Sequence, residues 1–164
     1  MTEIDAMLAQ AFELCEDGDY KGALKIYDLA LKKEPQNLSA LIDKGVTLQN
    51  LGRLVQAIKI YDKALKINPK HLDALLNKGS SLHTLGNYDD AIFCYDQALK
   101  IDKKNAMALA YKGLSLGEMG DISNALKHFK KALLIDETYD LASISKDIAQ
   151  DLLKSIKTKK SKIQ

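Results

Sequence analysis

The stretch Gly52-Arg53-Leu54-Val55-Gln56-Ala57-Ile58-Lys59-Ile60-Tyr61-Asp62-Lys63-Ala64-Leu65-Lys66-Ile67-Asn68-Pro69 decides the reading of this chain, because most of it is written four times. Tyr27, Tyr61, Tyr95 and Phe129 stand 34 residues apart, each followed three residues later by an alanine (30, 64, 98, 132) and then a leucine (31, 65, 99, 133). Upstream of each aromatic, at fixed offsets, come a glycine (Gly18, Gly52, Gly86, Gly120) and an alanine (Ala23, Ala57, Ala91, Ala125). The chain is an array, and its function has to be sought on the surfaces of an array.

Within one unit, Ala57, Tyr61, Ala64 and Leu65 are spaced by three and four and so share one side of a helix. Small residues let a neighbouring backbone approach, and the tyrosine ring fills what is left. The preceding segment, Leu38 to Asn50, carries its own stripe in Leu41, Gly45 and Leu48, and Leu51-Gly52 closes it as a C-terminal glycine does. Each unit is therefore expected to be two short antiparallel helices joined by a tight turn. Helices of about 13 residues are marginal alone in water, so packing has to supply their stability.

At 164 residues and 46% hydrophobic, the chain has enough apolar material for a few stacked repeats and lacks the composition of a disordered protein. Its first residues, Met1-Thr2-Glu3-Ile4-Asp5, are acidic and lead into an amphipathic pattern, unlike a signal peptide. No apolar run approaches the roughly 18 residues that cross a bilayer. The expectation is a cytoplasmic protein. Cys15 and Cys94 fall at different repeat positions, belong to no closely spaced pair, and read as buried or half-buried thiols. The net charge is +2, yet the last eleven residues hold five lysines and no acid, which leaves the preceding residues at −3. The basic character belongs to the tail.

In chain order, Thr2 with Asp5 predicts a capped first helix to about Glu16, Gly18-Asp19 a turn, and Tyr20 to Lys33 its partner, ended by Glu34-Pro35. The units cover 4–37, 38–71, 72–105 and 106–139. Asn37 caps the second unit, which ends at Asn68-Pro69. The third matches the second at 17 of 34 positions without a gap, but has Lys103 where Pro35 and Pro69 stand; the fourth has Glu137. Asp102 and Asp136 are expected to keep the turn. A capping helix is expected over about 140–157, with Leu141, Ile144, Ile148, Leu152 and Ile156 covering the last unit and Lys146, Asp147, Gln150 and Asp151 facing water. A flexible lysine-rich tail, 158–164, is expected to follow.

This pattern resembles the tetratricopeptide repeat, whose 34-residue unit has small residues at positions 8, 20 and 27, an aromatic at 24 and proline at 32. Counted from residues 4, 38, 72 and 106, position 8 holds Ala11, Gly45, Gly79 and Gly113. Position 7, usually apolar in that family, is Gln10, Lys44, Lys78 and Lys112; such lysines can lay their methylenes on the core and keep their ammonium groups wet. The resemblance implies an all-α, right-handed superhelical solenoid of antiparallel helix pairs whose first helices line a concave groove. On that basis the candidate peptide-binding residues are Leu8, Phe12, Ile42, Asp43, Val46, Gln49, Leu76, Asn77, Ser80, His83, Ala110, Tyr111 and Leu114. Their middle is apolar, which implies an apolar or amphipathic segment of another protein as ligand, or side chains packed between helices with little left to bind. The carboxylate clamp of heat-shock co-chaperones is not expected: with Asn77 as its middle residue it needs Lys and Asn where Ile42 and Val46 stand, and Lys and Arg where Met107 and Tyr111 stand.

No glycine-rich phosphate loop, HExxH or Ser/His/acid arrangement occurs, and His71, His83 and His128 occupy three different repeat positions, so no enzyme, cofactor or metal is expected. Cys94 and His128 share position 23, but two candidates do not make a metal site. Lysines 44, 78 and 112 have acids nearby, so no specific nucleic-acid binding is expected beyond salt-sensitive contacts of the tail. The sequence thus points to a non-catalytic interaction module or assembly scaffold. The alternative is a homo-oligomer in which the groove receives a terminal helix of another copy.

Overall fold

A computed structural model describes residues 2–161, side chains to residue 154. Among the described residues the chain is all helix: α1 (Glu3–Glu16), α2 (Tyr20–Lys33), α3 (Leu38–Asn50), α4 (Leu54–Ile67), α5 (Leu72–Thr84), α6 (Tyr88–Ile101), α7 (Ala106–Glu118), α8 (Ile122–Ile135) and α9 (Asp140–Ser161). It is a helical solenoid of helix pairs. The chain divides into two compact units, Met1–Leu85 and Gly86–Gln164. In the first, α1–α2 and α3–α4 pack as pairs, α2 touches α3, and α4 touches α5. In the second, α6 packs on α7, α7 on α8, and α8 on α9. No helix among the described residues is long and apolar enough to cross a membrane.

Local chemistry sets the helix ends. Thr2 accepts from the Asp5 amide at 3.1 Å while the Asp5 carboxylate accepts from the Thr2 amide at 2.7 Å, closing the expected capping box. Asp5's carboxyl is held below the usual range, first by that backbone amide. Asn37, His71 and Asn105 each accept from the amide three residues on, at 3.0, 3.4 and 2.8 Å. Gly18, Gly52, Gly86 and Gly120 adopt φ between 69° and 83°, a region that disfavours any Cβ. Beyond Gly52 the Arg53 amide donates to the Leu48 carbonyl at 2.8 Å, completing a Schellman closure. Between units the proline is dispensable. Asn68, Asp102 and Asp136 each accept from the amide two residues on at 3.0 Å, giving the same turn with or without Pro69.

The caps of the second helices are uneven. Asp19 and Asp121 accept from the Gly22 and Asn124 amides, whereas Arg53 and Asn87 at the equivalent places, with nearly the same backbone angles, make no side-chain cap. Arg53→Asp is expected to stabilise the chain by about 1 kcal/mol, read as a higher urea midpoint with an unchanged slope.

The core repeats with the sequence. Ala57, Tyr61 and Ala64 of α4 join Leu41, Ile42 and Leu48 of α3 in one buried cluster that reaches Leu24 of α2 and Ala74 of α5. A methyl group on Gly45 would sit 2.7 Å from Tyr61 Cζ, and one on Gly113 2.6 Å from Phe129 Cε1. The glycine is where the ring lies. Burial raises the phenol pKa of Tyr27, Tyr61 and Tyr95 above the ordinary value.

The position-7 lysines form a ladder. Lys44 of α3 reaches back to Asp28 of α2, Lys78 of α5 to Asp62 of α4 at 2.6 Å, and Lys112 of α7 to Asp96 of α6 at 2.6 Å. Lys146 of α9 occupies the same register, but Lys130 stands where the aspartate would, so Lys146 pairs with Asp147 at 3.4 Å. These half-exposed pairs contribute about 0.2–1 kcal/mol each and set register more than stability.

Helix α9 differs from the sequence expectation in its rotation. Ala142 and Ala149 are the buried residues against α8; Ala142 packs with Ala132 and Leu109, and Ala149 with Ala125 and Phe129. Ile144 and Ile148, expected to cover the last unit, are 61% and 64% exposed. The cause is the close approach. Ala142 falls in register with Ala40, Ala74 and Ala108, all fully buried, so α9 docks as the first helix of a fifth unit and its small residues take the contact. Ser143, Asp147 and Gln150 then occupy the side on which a second helix would pack in a complete unit. The last three residues of the expected tail lie outside the described residues; residues 158–161 fall within α9.

Candidate functional site

The groove-side candidates follow from their register on the first helix of each unit. At position 5, Leu8 is half-buried, while Ile42, Leu76 and Ala110 are buried. Ile42 belongs to the α2–α5 core and Ala110 to the α7–α9 core, so these side chains act in packing. At position 9, Phe12 is 61% exposed, and Val46, Ser80 and Leu114 are half-buried. At position 6, Asp43 is exposed, yet partial desolvation raises the pKa of its carboxyl above the ordinary value. Asn77 and Tyr111 are half-buried; Tyr111 stacks on Tyr95 at 5.9 Å with 26° between the planes.

Position 12 varies most consequentially. Gln49 accepts a hydrogen bond from the Tyr61 hydroxyl, tying the first helix of its unit to the second. Cys15 Sγ lies 3.4 Å from Thr47 Oγ1, and His83 is half-buried. In the fourth unit Gly117 stands there, and the facing aromatic is Phe129, without a hydroxyl. Both polar partners are gone.

The result is a cleft of about 290 Å³ whose lining includes Leu114, Gly117, Ile122, Phe129, Ile148 and Leu152. A methyl group on Gly117 would meet only the Ala125 Cβ, at 3.8 Å, so the space is open at its floor. Glu118 is the one acid among the lining residues. Of the sequence candidates only Leu114 belongs to this cleft. Ile122, Phe129, Ile148 and Leu152 were not among them, although the run Cys15, Gln49, His83, Gly117 at one register position is a signal that reads out the gap.

A second recurring feature escaped the sequence reading. Thr47, Ser81 and Ser115 are buried at position 10, and their hydroxyls donate to the carbonyls of Asp43, Asn77 and Tyr111 at 2.8, 3.0 and 3.2 Å. Such a hydroxyl is small enough for a close helix contact and satisfies itself on its own turn. Among the described residues, no three His, Cys, Asp or Glu side chains gather as a metal site would require.

The geometry agrees with known families. A family model for the anaphase-promoting complex, cyclosome, subunit 3 matches residues 16–98; a TPR repeat model matches 79–120 and a tetratricopeptide repeat model 108–139. The chain belongs to the tetratricopeptide repeat family. The subunit named by the first model describes that subunit alone. Among solved structures, this TPR chain is similar to a crystal structure of MamA protein (23% identity, 90% of this chain and 81% of that one, TM-score 0.81). It is also similar to MamA residues 41 to the end from Desulfovibrio magneticus RS-1 (19%, 94% and 97%, 0.77) and to a tetratricopeptide repeat protein from Parabacteroides merdae ATCC 43184 (23%, 93% and 60%, 0.82). At these identities the likeness is one of fold. A comparison with curated proteins gave no match.

Proposed function

We propose that this TPR chain is a non-catalytic interaction module or assembly scaffold whose receiving site is the apolar cleft lined by α7, α8 and α9. The observation that carries this reading is the paired loss of polarity at Gly117 and Phe129. Where Tyr61 and Gln49 close the equivalent space with a hydrogen bond, the fourth unit leaves it open and lines it with Leu114, Ile122 and Ile148. A cavity of about 150 Å³ with such a lining already admits a benzene ring, so this cleft can take a bulky apolar side chain. An amphipathic segment with one such anchor would bury it there and leave its polar side in water. Met107 and Tyr111 offer no cation for a carboxylate, so the anchor is apolar.

The test is affinity capture from native lysate with wild type and Ile148→Glu side by side, both checked for equal helicity. Ile148 is mostly exposed, so the charge should spoil the cleft without unfolding α9, whereas glutamate at the buried Leu76 would break the core. A partner retained by wild type and lost by Ile148→Glu is the expected result. A partner held equally by both would overturn the cleft as the site.

A further inference from the structure

The two ends of the chain are complementary in shape and in charge. The first twenty residues contain Glu3, Asp5, Glu13, Glu16, Asp17 and Asp19 and no lysine or arginine. Helix α1 is acidic throughout, and its most protruding apolar side chain is Phe12, 61% exposed between the exposed Asp5 and Glu16. At the other end, the cleft is bordered by the middle of α9, after which the sequence carries Lys154, Lys157, Lys159, Lys160 and Lys162 with no acid. Lys154 lies 3.3 Å from Asp151, so the net positive charge begins beyond that pair.

We propose that the cleft receives helix α1 of a second copy of this chain, with the Phe12 ring as anchor and the acidic charge of α1 complementing the net positive charge of the C-terminal end of the sequence. This names the occupant of the cleft proposed above and rests on that reading. Seating the Phe12 ring in an apolar cleft of about 290 Å³ removes apolar surface of both from water. The charges guide the encounter and select orientation, because α1 against another α1, or one lysine run against another, is repelled. Each copy has one α1 and one cleft on different units. The contact is heterologous, so copies add head to tail into a ring or an open chain.

Sedimentation equilibrium across a dilution series, at low and high salt, tests this on the full chain. Wild type is expected to grow in mass with concentration and to dissociate as salt rises. Phe12→Glu removes the anchor, and Ile148→Glu places in the cleft a charge that repels α1; both positions are exposed, so both variants should keep wild-type helicity. Each variant alone is expected to weaken association roughly tenfold or more. Mixed one to one, they leave a single intact pair, Phe12 from the Ile148→Glu copy and the cleft of the Phe12→Glu copy, and should form dimers that grow no further. Wild type that stays monomeric at every concentration would overturn the proposal, as would Phe12→Glu associating like wild type. A monomeric wild type that still loses a different protein partner through Ile148→Glu would overturn the second copy as occupant while leaving the cleft itself as a binding site.

Discussion

Tyr61→Ala is expected to lower the unfolding free energy by about 3–5 kcal/mol, the range for deleting a fully buried aromatic ring from a packed core. The ring is wholly buried and fills the space above Gly45, so its neighbours on α3 and α4 cannot close the gap without shifting a backbone. The loss also strands Gln49, whose amide oxygen takes the Tyr61 hydroxyl. Urea unfolding followed by circular dichroism reads the effect. A loss below about 1 kcal/mol would mean the aromatic position is not where stability resides. Tyr61→Phe removes only the hydrogen bond and should cost about 1 kcal/mol; Phe129 already shows that the ring without a hydroxyl is accepted at this register.

Gly45→Ala is the second large effect, and its sign runs against helix propensity. In an exposed helix, alanine for glycine gains about 1 kcal/mol. Here the new methyl group would sit 2.7 Å from Tyr61 Cζ and 2.9 Å from Cδ1 of a ring that has no room to move. Overpacking of this kind costs about 1–3 kcal/mol, so the net result is destabilising. The cause is isolated by pairing: Gly45→Ala made in a Tyr61→Leu background should recover most of its own cost, because the clash has lost its second partner. Additive losses from the two substitutions would show that the methyl group meets something other than the ring.

Most of the fold could be read from periodicity because each device is local and recurs. Gly52 with its positive φ, Asn37 with its cap and Thr2 with Asp5 each act within six residues, so the sequence alone places them. The turn after Asp102 was legible for the same reason. What escaped was orientation. An apolar stripe predicts a buried face, and on α9 that rule points to Ile144 and Ile148. The contact with α8 is instead made by Ala142 and Ala149, because closeness of approach, not hydrophobicity, decides which side docks. The same limit applied to the candidate site. Family positions named Ile42, Leu76 and Ala110 as groove residues, and these are buried; the open cleft arises from an absence, the side chain that Gly117 does not have. Hydrophobic counting sees residues, and a gap is visible only by comparing units with one another.

The aspartate–lysine ladder has a consequence for how the chain can change length. Each rung joins a helix to the next first helix sixteen residues on, so the spacing within a rung does not depend on how many units precede it. Excision of residues 38–71 would bring Asp28 to face Lys78 in the register Lys44 held, with Ala74 replacing Ala40 against α2. An excision a few residues shorter or longer would turn the lysine at the junction to another face and lose that rung, while Asp96 and Lys112 further on would keep theirs. Adding or dropping a whole 34-residue unit is therefore expected to keep every rung, whereas a partial one loses the rung and the alanine contact at its junction. For this architecture the unit of heritable variation is the repeat rather than the residue.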